Sequence, residues 1–165
     1  MNEEASDTKA TESKTVGTDQ IEKRIVLRAP RSRVWRAIAN SDEFGAWFQV
    51  KLEGPFVSGA TVPGRITTPG CEHMTLEMFI ERIEPEQLFS YRWHPYGIDP
   101  NVDYSGESTT LVEFRLAGTD TGTLLTIVES GFDQVPVSRR AEAFRMHNQG
   151  WTQQILNIEG YVSSE

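Results

Sequence analysis

The chain is poor in the groups from which most covalent catalytic and metal sites are built. Its 165 residues hold one cysteine, Cys71, and three histidines. A lone thiol excludes an internal disulfide framework and fits a reducing compartment. No apolar run approaches the roughly 20 residues a membrane span requires, and the N-terminus lacks the basic start and apolar core of a secretory signal. The expectation is a cytoplasmic protein. Positive charge is also scarce: 16 Lys and Arg against 24 Asp and Glu leave a net charge of -8, which repels phosphate backbones and anionic lipid heads. Neither nucleic acid nor a membrane is an expected partner. There is no Gly-x-Ser-x-Gly elbow, no Gly-rich phosphate loop and no zincin helix, so covalent catalysis and nucleotide binding lack support. Cys71-Glu72-His73 gathers three donors on a Pro-Gly turn. No second cluster has matching spacing, and neither a metal nor another cofactor is expected.

What is present suits one domain. A domain of about 150 residues buries roughly 68–70% of its unfolded surface, enough for a sizeable core. Residues 1–19 have no aromatic group and only Met1, Ala5, Ala10 and Val16 as apolar side chains. That is too little to offset the entropy of ordering them, so they read as a disordered acidic tail ahead of a single domain at 20–165. Ile21 to Ala29 reads as a strand. Pro30 and the stripe Val34, Trp35, Ile38 make a short helix, which Asn40-Ser41 breaks. Ser41 with Asp42 would cap a second short helix leading to Trp47-Phe48. Four more strands follow, with Gly54-Pro55, Pro63-Gly64, Pro69-Gly70 and Glu84-Pro85-Glu86 read as the turns between them. Alternation puts Leu76, Met78 and Ile80 on one face of one strand and Phe89, Tyr91 and Trp93 on one face of the next. Residues 94–108, with Gly97, Asp99-Pro100 and Ser105-Gly106, read as a long rim or lid loop. A hairpin of Thr109 to Leu116 with Thr123 to Glu129 closes the sheet.

The end of the chain carries the strongest signal. Phe144, His147, Trp151, Ile155, Ile158 and Val162 recur at steps of 3, 4, 4, 3 and 4, one face of a helix of roughly 25 residues. No second long helix is present to cover that face, so the expected partner is the sheet itself. The predicted fold is α+β: a curved antiparallel sheet wrapped around a long C-terminal helix, with two short helices after the first strand and a cavity where sheet and helix part.

Four groups of residues carry a resemblance. Ala29-Pro30 with Val34-Trp35-x-Ala37-Ile38, then Ser41 ahead of Trp47-Phe48, then Glu129-Ser130-Gly131-Phe132, and last His147-Asn148-Gln149-Gly150-Trp151 with Leu156 and Tyr161 resemble the START-like (SRPBCC) helix-grip superfamily. Within it they resemble the activator of heat-shock-protein-90 ATPase homologue-like family over about residues 21–162. The resemblance implies a cupped sheet enclosing a cavity that holds apolar or aromatic small molecules. The eukaryotic co-chaperone that names the family has an additional N-terminal domain, which a twenty-residue tail does not supply.

Within that frame, Glu129 is the oddest placement, because Leu125 and Ile127 alternate with it onto the inward face. A buried carboxylate costs several kcal/mol unless paired or protonated. Candidate partners are His147, Trp151 and Gln154 on the helix. One reading makes Glu129 and His147 a polar anchor or catalytic acid–base pair; the other leaves Glu129 at an exposed strand end or cap and His147 as a satisfied core histidine. Gly150 interrupts the helix, and close passage of a strand or bulky side chain is the expected reason. The aromatic set Trp35, Trp47, Phe48, Phe79, Phe89, Tyr91, Trp93 and Trp151 divides between core and cavity wall. Expected ligand contacts are Trp47, Met78, Tyr91, Trp93, Glu129, His147 and Trp151, with Arg92 and His94 at the rim. The leading function is binding of a small apolar or aromatic molecule between sheet and helix. The alternatives are a cofactor-free cyclase- or aromatase-like enzyme using the same cavity, and a chaperone-associated interaction protein. A second copy of the chain, in a homodimer, is the other partner considered.

Overall fold

The computed structural model describes residues 13–16, 19–96 and 101–163. Most of the expected tail, and the turn signals Gly97 and Asp99-Pro100, lie outside them. In chain order the elements are β1 (Ser13–Val16), β2 (Gln20–Leu27), α1 (Arg31–Ala39), α2 (Ser41–Phe48), β3 (Val50–Leu52), β4 (Thr61–Ile66), β5 (Thr75–Glu84), β6 (Leu88–Trp93), β7 (Thr110–Gly118), β8 (Thr123–Ser130) and α3 (Val137–Ser163). The strands pair antiparallel in one sheet of order β1-β2-β8-β7-β6-β5-β4-β3. Ser13–Val16, inside the stretch read as tail, adds an edge strand to β2. Composition misses such a strand because its ladder needs only backbone groups, and β2 would otherwise present an open edge.

Two local readings are corrected. Pro63-Gly64 lies inside β4, not in a turn, with Pro63 opposite Glu77 and Gly64 between Leu52 and Leu76. The Pro63 carbonyl accepts from Glu53 N–H beyond the end of β3, so the N–H that proline lacks would also face past that end, where no ladder bond is lost. A Cβ on Gly64 would come within 2.9 Å of the Val50 side chain, so the glycine is there for close approach of neighbouring strands. The cap of α2 is Asn40, whose Oδ1 accepts from Glu43 N–H at 3.0 Å, not Ser41.

The sheet's inner face and the helices enclose one core. The row Ile21, Glu129, Val112, Tyr91 and Ile80 runs across five strands with every member buried. At its centre the Phe44 ring lies against Trp47, Phe48, Phe56, Phe89, Tyr91 and Phe114, with centroids 4.8–6.5 Å away. Glu43 ties the three helices together: Arg33, Arg36 and Tyr161 all donate to its carboxylate, at 2.8–3.1 Å. On the gripped helix Ala143, Trp151, Ile155, Ile158 and Val162 are buried, and Phe144 and His147 are partly so. Among the described residues no helix is long and apolar enough to cross a membrane.

Candidate functional site

Glu129 is fully buried near the end of β8. The reading that placed it at an exposed strand end is thereby excluded. Its Oε1 accepts from His147 Nδ1–H and from the Trp151 indole N–H, each at 2.7 Å. Its Oε2 accepts from the Trp93 indole N–H at 2.9 Å and from the Thr110 hydroxyl at 2.6 Å. Four donors fill the roughly four acceptor positions of a carboxylate. Trp93 and Thr110 face each other across β6 and β7, while His147 and Trp151 are one turn apart on α3, so the carboxylate joins sheet to helix. Burial alone would raise the Glu129 pKa, but the His147 charge and the donors from His147, Thr110 and Trp93 outweigh it and hold the carboxyl below its ordinary value.

The other ring nitrogen of His147, Nε2, faces the Pro95 carbonyl at 2.7 Å. Both nitrogens therefore meet acceptors, and both contacts are donations only in the imidazolium form. Burial works against that charge; Glu129 and the Pro95 carbonyl prevail and hold the His147 pKa above its ordinary value. The arrangement is a buried ion pair that also fixes the start of the loop after β6. Gln154, proposed as a partner of Glu129, instead donates to the Phe48 carbonyl at 3.0 Å.

Two partly open spaces that share three lining residues lie beside this pair. The inner cavity, of about 170 Å³, is lined by Phe48, Trp93, Met146, His147, Gly150, Trp151 and Gln154. The rings of Phe48, Trp93 and Trp151 stand 6.0–6.1 Å apart in each pairing. An outer groove of about 550 Å³ shares Trp93, Met146 and His147 with it and adds polar groups, among them Glu53, Arg65, Glu77 and His94. The loop bordering the groove is tied to α3 through Arg139. Its guanidinium pairs with Glu107 and lies over the rings of Tyr96 and Tyr104, 5.2 and 5.4 Å from their centroids. Tyr96 also donates to Glu142 at 3.1 Å.

Of the expected ligand contacts, Trp93, His147 and Trp151 line the inner cavity. Glu129 stands behind it, all four donors in place. Trp47, Met78 and Tyr91 line neither space. Trp47 is buried with its indole N–H given to the Ala37 carbonyl at 2.9 Å, and Met78 is buried in the hydrophobic core. Tyr91 is buried among aromatic rings, its hydroxyl without a hydrogen-bond partner among the described residues. Burial and then the nearby Glu129 charge push its pKa well above the ordinary value. These three follow the core pattern because regular alternation reports which way a side chain faces, not whether the space there is filled. At the rim, His94 borders the groove, whereas Arg92 pairs with Glu81 at 2.9 Å across adjacent strands. No group of three or more His, Cys, Asp or Glu side chains among the described residues could hold a metal ion.

The sequence reading missed Thr110, Pro95 and Met146, and took Gly150 only as a packing glycine. Thr110 was hidden because its role depends on the pairing register with Trp93. Met146, Gly150 and Gln154 follow an i, i+4, i+8 spacing one position ahead of the His147 and Trp151 stripe, and that shoulder of the helix was the available signal. The expected reason for Gly150 is also corrected. A Cβ built there meets nothing within 4 Å, so no neighbour excludes a side chain, although glycine costs the helix about 1 kcal/mol relative to alanine.

Comparison with known proteins places the chain. A family model described as Activator of Hsp90 ATPase homolog 1-like protein matches residues 28–163. No curated protein matches. Among solved structures, a Mesorhizobium loti protein is 22% identical over 88% of this chain and 97% of its own, with a TM-score of 0.70. The Aha1 dimer from Colwellia psychrerythraea is 17% identical over 85% of this chain and 92% of its own, with a TM-score of 0.64. DynU16, a protein of the dynemicin biosynthetic locus, is 21% identical over 88% of this chain and 47% of its own, with a TM-score of 0.67. At these identities the structural likeness is one of fold. The chain belongs to the Activator of Hsp90 ATPase homolog 1-like family.

Proposed function

We propose that this member of the family is a cytoplasmic binding protein for a small apolar or aromatic molecule, held between the sheet and α3. The observation that carries the reading is the inner cavity walled by Phe48, Trp93 and Trp151, which shares Trp93, Met146 and His147 with the outer groove. Removing apolar ligand surface from water there contributes roughly 25 cal/mol per Å². Trp93 and Trp151 are held rigid by their indole hydrogen bonds to Glu129, so the walls are formed before the ligand arrives, which lowers the ordering cost of binding. The family match supports the reading at the level of fold, and DynU16, a structural neighbour, is a protein of the dynemicin biosynthetic locus.

The cyclase- or aromatase-like alternative needs a base facing the ligand. Glu129 has its acceptor positions occupied and its basicity reduced, and His147 has both nitrogens engaged; that favours binding over proton transfer, with the pair as anchor. The test is native mass spectrometry of protein purified without denaturation, followed by denaturation and identification of what is released. A stoichiometric organic molecule supports the reading. An apo mass, joined to no thermal shift across a panel of aromatic compounds, would count against it. Stimulation of a chaperone's ATPase with no bound molecule would replace it by the chaperone-associated reading.

A further inference from the structure

Gly150 sits in the middle of α3, where glycine weakens a helix, and nothing packed against it requires the absence of a side chain. It borders the inner cavity between Met146 and Gln154. A helical side chain covers the turn N-terminal to its own Cα. Any side chain at this position would therefore extend toward Met146 and His147, the two helix residues common to cavity and groove. Glycine, exposed at this position, leaves that side of the cavity open.

The space beside it has a definite capacity. The cavity is about 170 Å³, and an apolar cavity of about 150 Å³ is enough for benzene. Its walls offer mainly aromatic faces: both indole N–H groups are given to Glu129, and one Gln154 Nε2 hydrogen goes to the Phe48 carbonyl. The groove outside is larger and carries Arg65, His94, Glu53 and Glu77. We propose that Gly150 is the aperture of the inner cavity, admitting a single aromatic ring, or an alkyl group of similar girth, from a longer molecule whose polar remainder lies in the groove. The proposal rests on the binding function argued above and names the shape of the ligand that function would take.

The experiment is isothermal titration of the full chain with p-cresol as a one-ring probe and 1-naphthol as a two-ring probe. The proteins are the wild type, Gly150→Ala, Gly150→Leu and, as a control, Gly160→Leu. Gly160 is on the same helix, a Cβ there also meets nothing within 4 Å, and it lines neither space. Both leucine variants should melt at or above the wild-type temperature, because leucine is a far better helix former than glycine. Gly150→Leu should lose p-cresol affinity by roughly 10- to 100-fold, the equivalent of burying one ring. Gly150→Ala should fall between that and the wild type, and Gly160→Leu should bind as the wild type does. Wild-type protein should prefer p-cresol to 1-naphthol. If the wild type binds p-cresol and Gly150→Leu binds it equally well, the aperture is overturned and the binding function stands. Equal wild-type affinity for the two probes also overturns the aperture. If the wild type binds neither probe, the binding function and the aperture fall together. Should Gly150→Leu not fold, Gly150→Ala with unchanged affinity would overturn the aperture.

Discussion

Along one helix, Ile155, Ile158 and Val162 are sealed against the sheet and the two short helices, while Met146, Gly150 and Gln154 border open space. The sealed region is filled by rings around Phe44; the open region has one unbranched side chain, one glycine and one amide. Close packing to the density of an organic crystal is the default for an interior. The departure is therefore local and compositional: the same sheet and helix seal where aromatic residues supply the volume, and part where the helix offers little. Glu129 marks the border, with the Trp93 and Trp151 rings that wall the cavity hydrogen-bonded to it on the sealed side.

The largest effect is expected in the sealed region. Phe44→Ala removes the ring that touches six others, and the cavity left should cost roughly 3–5 kcal/mol of unfolding free energy. Urea denaturation measures it. A loss below about 1 kcal/mol would show that this region can collapse as freely as the open one, and the contrast would be gone.

At the border, Glu129→Gln keeps the shape, removes the charge and sets an amide N–H₂ against donors. A loss of about 2–3 kcal/mol is expected, with a change in pH dependence that a packing defect would not produce. The His147 pKa is raised in the fold above its ordinary 6.5. Above the unfolded value the native state therefore binds more protons than the unfolded chain, and stability falls as pH rises through the folded value. The Glu129 pKa is lowered from 4.5, so its contribution is present above that unfolded value and is lost as pH falls through the folded one. The pair contributes in full between the two unfolded values. Thermal melts from pH 5 to 9 should show the alkaline loss in the wild type and a flatter profile in Glu129→Gln; parallel profiles would mean that His147 is not charged in the fold.

The contrast between regions also explains what was legible beforehand. Strand alternation turned Glu129 inward, and the helical stripe from Phe144 to Val162 named the face that the sheet covers. Both are periodic signals, and both follow from backbone geometry alone. The four donors on Glu129 were half visible: His147 and Trp151 share its helix face by spacing, but Trp93 and Thr110 reach it only through the β6–β7 register, which no local pattern states. Trp47, Met78 and Tyr91 were misplaced for a related reason, since direction toward the interior does not tell filled space from empty. Pro63-Gly64 read as a turn because a proline without a ladder partner is tolerated only beside a strand end, and that end is β3, a neighbour defined by the tertiary fold.

The smallest effect is expected where the helix borders open space. Met146 is half-buried and lines both cavity and groove, so part of its surface already lacks the close neighbours that make a core methionine costly to remove. Met146→Ala should therefore lose less than about 1 kcal/mol of stability, far below the 2–5 kcal/mol typical of a fully packed methionine. The same substitution widens the space that cavity and groove share, so 1-naphthol should gain affinity relative to p-cresol through tighter 1-naphthol binding and not through loss of p-cresol. A large stability loss with no change in that preference would mean that Met146 is a core residue and that the open region is packed after all. A small loss with the preference shifted toward the two-ring probe would mean that packing was given up at this end of the helix without cost to the fold, which is what separates a binding cavity from a defect.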